Sequence, residues 1–177
     1  GLTSSKNHDG STMMTGACFL PHLVCLSLEG CASIGGTAVS PKNLVNFFSW
    51  FCPEYGQKTP PLKRLSLRNT DLNNADLSLE LTRLWMRCGV ESLCLADNVK
   101  LDERGLSNLQ VLTTSLTDLD ISSLSNVSSL DFIGPLQQNL RTLTIIGLPK
   151  LKASAFHVFC DNPDSFLHLR KIDMRGS

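Results

Sequence analysis

The chain has 177 residues, with 16 Lys+Arg against 16 Asp+Glu, a formal net charge of zero and 42% hydrophobic side chains. That balance argues against a groove built on long-range attraction to phosphates, so no nucleic-acid partner is expected. No stretch approaches the ~18 consecutive apolar residues of a membrane span, so no membrane partner is expected either. The chain as a whole is too apolar to be disordered, and its length suits one domain.

In chain order, residues 1–17 read as a flexible lead, because residues 1–15 are rich in Gly, Ser and Thr and lack an apolar period. The domain is expected over 18–177. Its first strand runs through Leu26 and Leu28. Pro41 opens a helix whose Leu44, Phe47, Phe48 and Phe51 fall at i, i+3, i+4 and i+7 on one face. A Pro-rich insertion covers 53–61; its Tyr55, and Trp50 just before it, are the aromatics that fall outside this stripe. After a strand at Leu65 and Leu67, a helix is expected from Asn74 to Cys88, with Leu77, Leu81, Leu84, Trp85 and Cys88 as its stripe and Gly89 as its stop. Weaker returns follow over Glu103–Leu112 and 128–139, the latter interrupted by Gly134-Pro135. A last return covers Ala153–Cys160, ending before Pro163.

Leucine accounts for 31 of the 177 residues, and the excess has a period. Six segments fit L-x-x-L-x-L: Leu20/Leu23/Leu26/Leu28, Leu62/Leu65/Leu67, Val90/Leu93/Leu95, Leu116/Leu119/Ile121, Leu140/Leu143/Ile145 and Leu169/Ile172/Met174. Anchor residues 26, 65, 93, 119, 143 and 172 succeed one another at intervals of 39, 28, 26, 24 and 29. In each L-x-L the two aliphatic residues share one side of a short strand. No single turn buries that side alone, so the turns must stack into a parallel sheet over a continuous core. The fold class expected is therefore α/β: a solenoid of about six units, strands on the concave side and helical or irregular returns on the convex side.

With these motifs the chain resembles the leucine-rich repeat proteins over about residues 18–177. The segment Leu23-x-x-Leu26-x-Leu28-x-Gly30-Cys31, continuing through Ile34-Gly35-Gly36, is similar to the cysteine-containing class found in F-box substrate receptors. The later repeats, with 26–29-residue spacing and helical returns, are more similar to the ribonuclease-inhibitor class, although only Asn98 supplies the familiar asparagine, with Leu124 and Leu148 in its place elsewhere. The resemblance implies a non-catalytic protein-interaction module inside a larger protein, such as the substrate-recognition part of a ubiquitin ligase or a scaffold. It equally implies an enzyme regulator of the ribonuclease-inhibitor or GTPase-activator type, or the sensor domain of an innate-immune receptor.

Residues that would carry catalysis are not arranged for it. His8, His22, His157 and His168 form no metal-binding pair or triad, and Gly35-Gly36 lacks the rest of a phosphate loop. No cofactor or metal is expected. The seven cysteines are odd in number, have no C-x-x-C spacing and sit among apolar neighbours, so most are read as buried thiols in a reducing, intracellular compartment. The triplet Asn126-Val127-Ser128 matches a glycosylation sequon but is inert inside a cell. Recognition is expected from the positions flanking the aliphatic pairs: Glu29, Arg64, Arg68, Asp118, Asp120, Lys171, Asp173 and Arg175, with Asp97 extending the acidic side. Basic Arg64 and Arg68 would stand ~10 Å from acidic Asp118 and Asp120, a bipolar face for a protein partner. The chain stops just after its sixth strand, so its C-terminal edge is expected to be covered by further chain or another protein.

Overall fold

The computed structural model describes residues 5–6, 12–13, 22–32, 34–35, 41–49, 51, 62–160 and 165–176. Cys18, Cys52, Trp50, Tyr55 and the 53–61 insertion lie outside them. Near the N-terminus β1 (Ser5–Lys6) and β2 (Thr12–Met13) pair antiparallel. The principal sheet has six strands: β3 (Cys25–Ser27), β4 (Arg64–Ser66), β5 (Ser92–Cys94), β6 (Asp118–Asp120), β7 (Thr142–Thr144) and β8 (Lys171–Asp173). They lie side by side in chain order, all parallel, in an open sheet.

The register is the one the leucine spacing implies. Leu26, Leu65, Leu93, Leu119, Leu143 and Ile172 are successive partners across the five strand pairings. From β4 to β7 a one-residue slip would turn a strand's buried aliphatic residues to water, so burial holds the register there. From β4 to β7 both aliphatic positions of each strand are buried in one continuous core. At the last strand Ile172 and Met174 are 39% and 44% exposed.

The strands end alike because each meets a left-handed residue four positions after its anchor: Gly30, Asn69, Asp97, Ser123, Gly147 and Gly176, with φ between 52° and 73°. This conformation suits Gly, and Asn or Asp next best, which accounts for five of the six choices. Ser123 is the strained exception. Between strand and turn the backbone ladder continues, as in Leu67 N to Cys94 O and Leu95 N to Asp120 O, both 2.8 Å.

Asn98 ties two units together from inside. Its Oδ1 accepts from the Thr70 and Leu72 amides, both at 3.0 Å, and its Nδ2 donates to the Leu67 and Leu95 carbonyls at 2.7 and 2.8 Å. The residue is fully buried, so every polar atom of its amide needs these partners.

The returns form the other layer. Helix α1 spans Pro41–Ser49 and seats Leu44 and Phe48 in the core, with Phe48 5.6 Å edge-on from Trp85. Helix α2 spans Leu79–Cys88, shorter than the expected Asn74 start. Asn73 closes a turn by accepting from the Ala75 and Asp76 amides, and Ser78 then caps the helix by accepting from Leu81 N. Gly89 ends it in the left-handed conformation. Beyond β5 the returns tighten: α3 (Glu103–Leu106) runs into a 3₁₀ turn at Ser107–Leu112, and Asp131–Leu136 and Ala153–Phe159 are 3₁₀ throughout. Pro135, which lacks an N–H, accounts for the second of these. Gly35 marks a close approach of chain to chain: a Cβ there would lie 2.6 Å from the Leu72 amide nitrogen.

Candidate functional site

One face of the sheet carries the leucines; the other carries three columns of side chains. At the strand starts stand Cys25, Arg64, Ser92, Asp118, Thr142 and Lys171, paired in register across the strands. At the strand ends stand Ser27, Ser66, Cys94, Asp120, Thr144 and Asp173. Beyond them, where the ladder runs out, come Glu29, Arg68, Ala96, Ser122, Ile146 and Arg175. Apart from Ala96, these residues are half-buried or exposed.

The charges on this face divide into two classes. Those at the strand exits are satisfied by neighbours. Ser66 Oγ donates to Glu29 at 2.7 Å, and Arg68 Nε donates to Asp97 at 2.7 Å. Asp120 accepts from the Ser122 amide at 3.0 Å and its hydroxyl at 2.6 Å, with the Cys94 thiol 3.6 Å away. Arg175 grips Asp173 with two bonds, at 2.9 and 3.0 Å. Ionic contact shows in the protonation: Asp97 raises the Arg68 guanidinium, and the Arg175 hydrogen bonds lower the Asp173 carboxyl. Asp97 therefore closes onto Arg68 instead of joining an acidic patch, and Arg68 does not stand with Arg64 as a basic one.

The charges at the strand starts are different. Among the described residues, Arg64 and Lys171 pair with no carboxylate, and Asp118 accepts only from the Thr117 hydroxyl, at 2.7 Å. Two cations not anticipated from the sequence, Arg141 and Arg170, are exposed beside them. They precede β7 and β8, and the Arg170 and Lys171 amides both donate to the Arg141 carbonyl. Their signal was their place two positions before each anchor, where Lys63 and Glu91 also stand; those two pair with each other.

The thiols correct the sequence reading. Cys88 is buried and Cys94 half-buried, but Cys25, Cys31 and Cys160 are exposed. Cys25 occupies a strand-start position, where alternation turns the side chain away from the leucines. Burial pushes the Cys94 thiol up from its ordinary value.

On the return side a groove of about 350 Å³ is lined by Glu103, Ser107, Gln110, Ser129, Asp131, Phe132 and Pro135. Glu103 accepts from the Ser128 amide, the Ser128 hydroxyl at 2.9 Å and the Ser129 amide at 2.8 Å. Burial raises its pKa, but these bonds outweigh it and hold the carboxyl below its usual range. His157 Nε2 lies 3.2 Å from Asp131. Among the described residues no three His, Cys, Asp or Glu cluster as metal ligands, and no helix is long and apolar enough to cross a membrane.

No family model matches the chain, and no curated protein does. Among solved structures, it is similar to a chain in the crystal structure of the Rad7 and Elc1 complex in yeast, with a TM-score of 0.51 and 21% sequence identity. The match covers 73% of this chain but 29% of that one, so the present chain spans less than a third of its neighbour's length. The likeness shows the fold: an open α/β arrangement on an all-parallel sheet, of a kind that fits a repeat protein.

Proposed function

We propose that this chain is a leucine-rich repeat solenoid of about six repeats, and that it works as a non-catalytic module binding a protein partner on its concave sheet face. One observation carries the reading. Six registered strands hold up a face of small and charged side chains, and no described element packs on it. Such a face, rigid and polar over an apolar core, is suited to recognition because its side chains are ordered before the partner arrives. The likeness to part of a chain crystallised in a protein complex supports the same reading. The module then serves a larger intracellular protein, as in substrate recognition by a ubiquitin ligase or the assembly of a scaffold.

The test is affinity capture with the full chain, comparing Ser92→Arg and Thr144→Arg, which fill the face, with Arg104→Glu on the return side. Proteins retained by the parent and by the Arg104 variant, but lost from both face variants, are the expected result. Partners lost only from the Arg104 variant would overturn the reading.

A further inference from the structure

We infer that the strand-start column reads an extended protein segment of alternating charge, acidic–x–x–basic–x–x–acidic, laid across the strands. This inference rests on the concave-face reading above and names the chemistry of its partner. It comes from which charges the fold leaves available. Arg68 is paired with Asp97 and Asp173 with Arg175, while Glu29 and Asp120 stay charged but accept from Ser66 and Ser122 at the strand exits. Arg64 on β4, Asp118 on β6 and Lys171 on β8 form no salt bridge with a described residue, although Asp118 accepts from the Thr117 hydroxyl and Lys171 interacts with Asp173, and they lie in one column, each two strands from the next. The face therefore offers plus, minus, plus in a straight line.

The spacing selects the conformation of the occupant. Strands ~4.8 Å apart put these charges ~9.6 Å from one another. A polyproline-II segment has three residues per turn and ~3.1 Å rise, so residues i, i+3 and i+6 share one side at ~9.3 Å intervals. A β-strand fails because residues three apart point to opposite sides. An amphipathic helix fails for another reason: Ser92 and Thr142 stand between the charges and Ser66, Cys94, Asp120, Thr144 and Asp173 beside them, mostly hydroxyls and carboxylates that offer no apolar pocket for helix anchors. Hydroxyls do suit a polyproline-II backbone, whose amides and carbonyls have no internal partners. Arg141 and Arg170 are exposed just before β7 and β8, so further positive charge gathers at the β8 end, where Arg175 already pairs with Asp173.

Binding of labelled peptides to the full chain, followed by fluorescence anisotropy at low salt, tests this. The probes are Glu-Pro-Pro-Lys-Pro-Pro-Glu, its charge inverse Lys-Pro-Pro-Glu-Pro-Pro-Lys, and the short-spaced Glu-Pro-Lys-Pro-Glu. The first should bind about tenfold more tightly than either of the others. With a fourth probe, Glu-Pro-Pro-Glu-Pro-Pro-Glu, the parent should prefer the Lys-centred Glu-Pro-Pro-Lys-Pro-Pro-Glu and Asp118→Lys should prefer the Glu-centred one, with an unchanged thermal melt showing that the fold is intact. Equal binding of the first probe and its inverse by the parent, or a preference for the Lys-centred over the Glu-centred probe that survives Asp118→Lys, would overturn the inference. If Ser92→Arg removes captured partners while the peptides are not discriminated, the binding face stands and the charge line falls.

Discussion

Arg68 and Asp97, 29 residues apart in sequence, meet at 2.7 Å where β4 and β5 end. Both side chains remain substantially solvent-accessible, at 51% and 31%. Their contact makes a closed pair of what would otherwise be one arm of a basic patch and one arm of an acidic one. Exposed pairs contribute little to stability, so a double-mutant cycle with Arg68→Ala and Asp97→Asn should give a coupling of roughly 0.2–1 kcal/mol that shrinks in 1 M salt. Asparagine is chosen because position 97 has a left-handed backbone that it tolerates. A coupling above about 2 kcal/mol, insensitive to salt, would show the pair to be structural rather than a surface contact.

Asn98 is fully buried and its side-chain amide serves backbone groups of two units. Asn98→Ala leaves the Thr70 and Leu72 amides and the Leu67 and Leu95 carbonyls without their side-chain partner in the core. At about 1–3 kcal/mol for a buried group left unsatisfied, the total cost should be roughly 3–5 kcal/mol. Urea denaturation measures it. Asn98→Leu, the residue type at the equivalent Leu124 and Leu148, should fare no better, because the Thr70 and Leu72 amides turn toward position 98.

Ser123 holds φ 61°, where three of the other five strand exits have glycine. Ser123→Gly should raise stability by about 1 kcal/mol, and Gly147→Val should lower it by at least as much. Paired thermal melts decide it. A lower melting temperature for Ser123→Gly would mean that the Ser123 side chain contributes more than its backbone strain removes.

Glu103 should make the fold acid-sensitive. Its carboxyl is held below the ordinary value of about 4.5 by its Ser128 and Ser129 hydrogen bonds. A depressed folded pKa means that the unfolded chain binds the proton first. The stabilisation is therefore complete above about pH 4.5 and is lost as pH falls through the lower folded value. Glu103→Gln should be less stable than the parent at neutral pH and lose less between about pH 5 and pH 3. Parallel slopes for the two proteins over that interval would remove Glu103 as the cause.

Alkylation should rank the thiols. Iodoacetamide followed by peptide mass spectrometry should label Cys25, Cys31 and Cys160 first, Cys94 more slowly and Cys88 only on unfolding. Cys25 and Cys94 share the same sheet face, but burial raises the Cys94 pKa and thins its thiolate. Fast labelling of Cys88 in the folded protein would contradict its burial in the core.

The leucine repeat by itself determined the sheet. Because L-x-L leaves one buried face per strand, the six anchors could pair in one register, and they do. The apolar stripes of Leu44/Phe48 and Leu81/Trp85 determined which sides of α1 and α2 face inward, whereas the left-handed exits at Gly30, Asn69, Asp97 and Gly147 emerged only from the backbone of the folded chain. The start of α2 was not legible, because Asn73 and Ser78 compete for the backbone through their own side chains. Nor could composition assign the exposed cysteines: Cys25 lies in a strand where alternation alone decides its side, and Cys31 and Cys160 lie at turns whose path the neighbouring residues do not state. Only the tertiary structure decided which charges are available. Ion pairs form between residues about one unit apart, such as Arg68 and Asp97 or Lys100 and Asp71, and depend on ångström-scale side-chain reach. A list of charged positions contains no such distances, so Arg64, Asp118 and Lys171 emerge as a line only when the strands are set side by side.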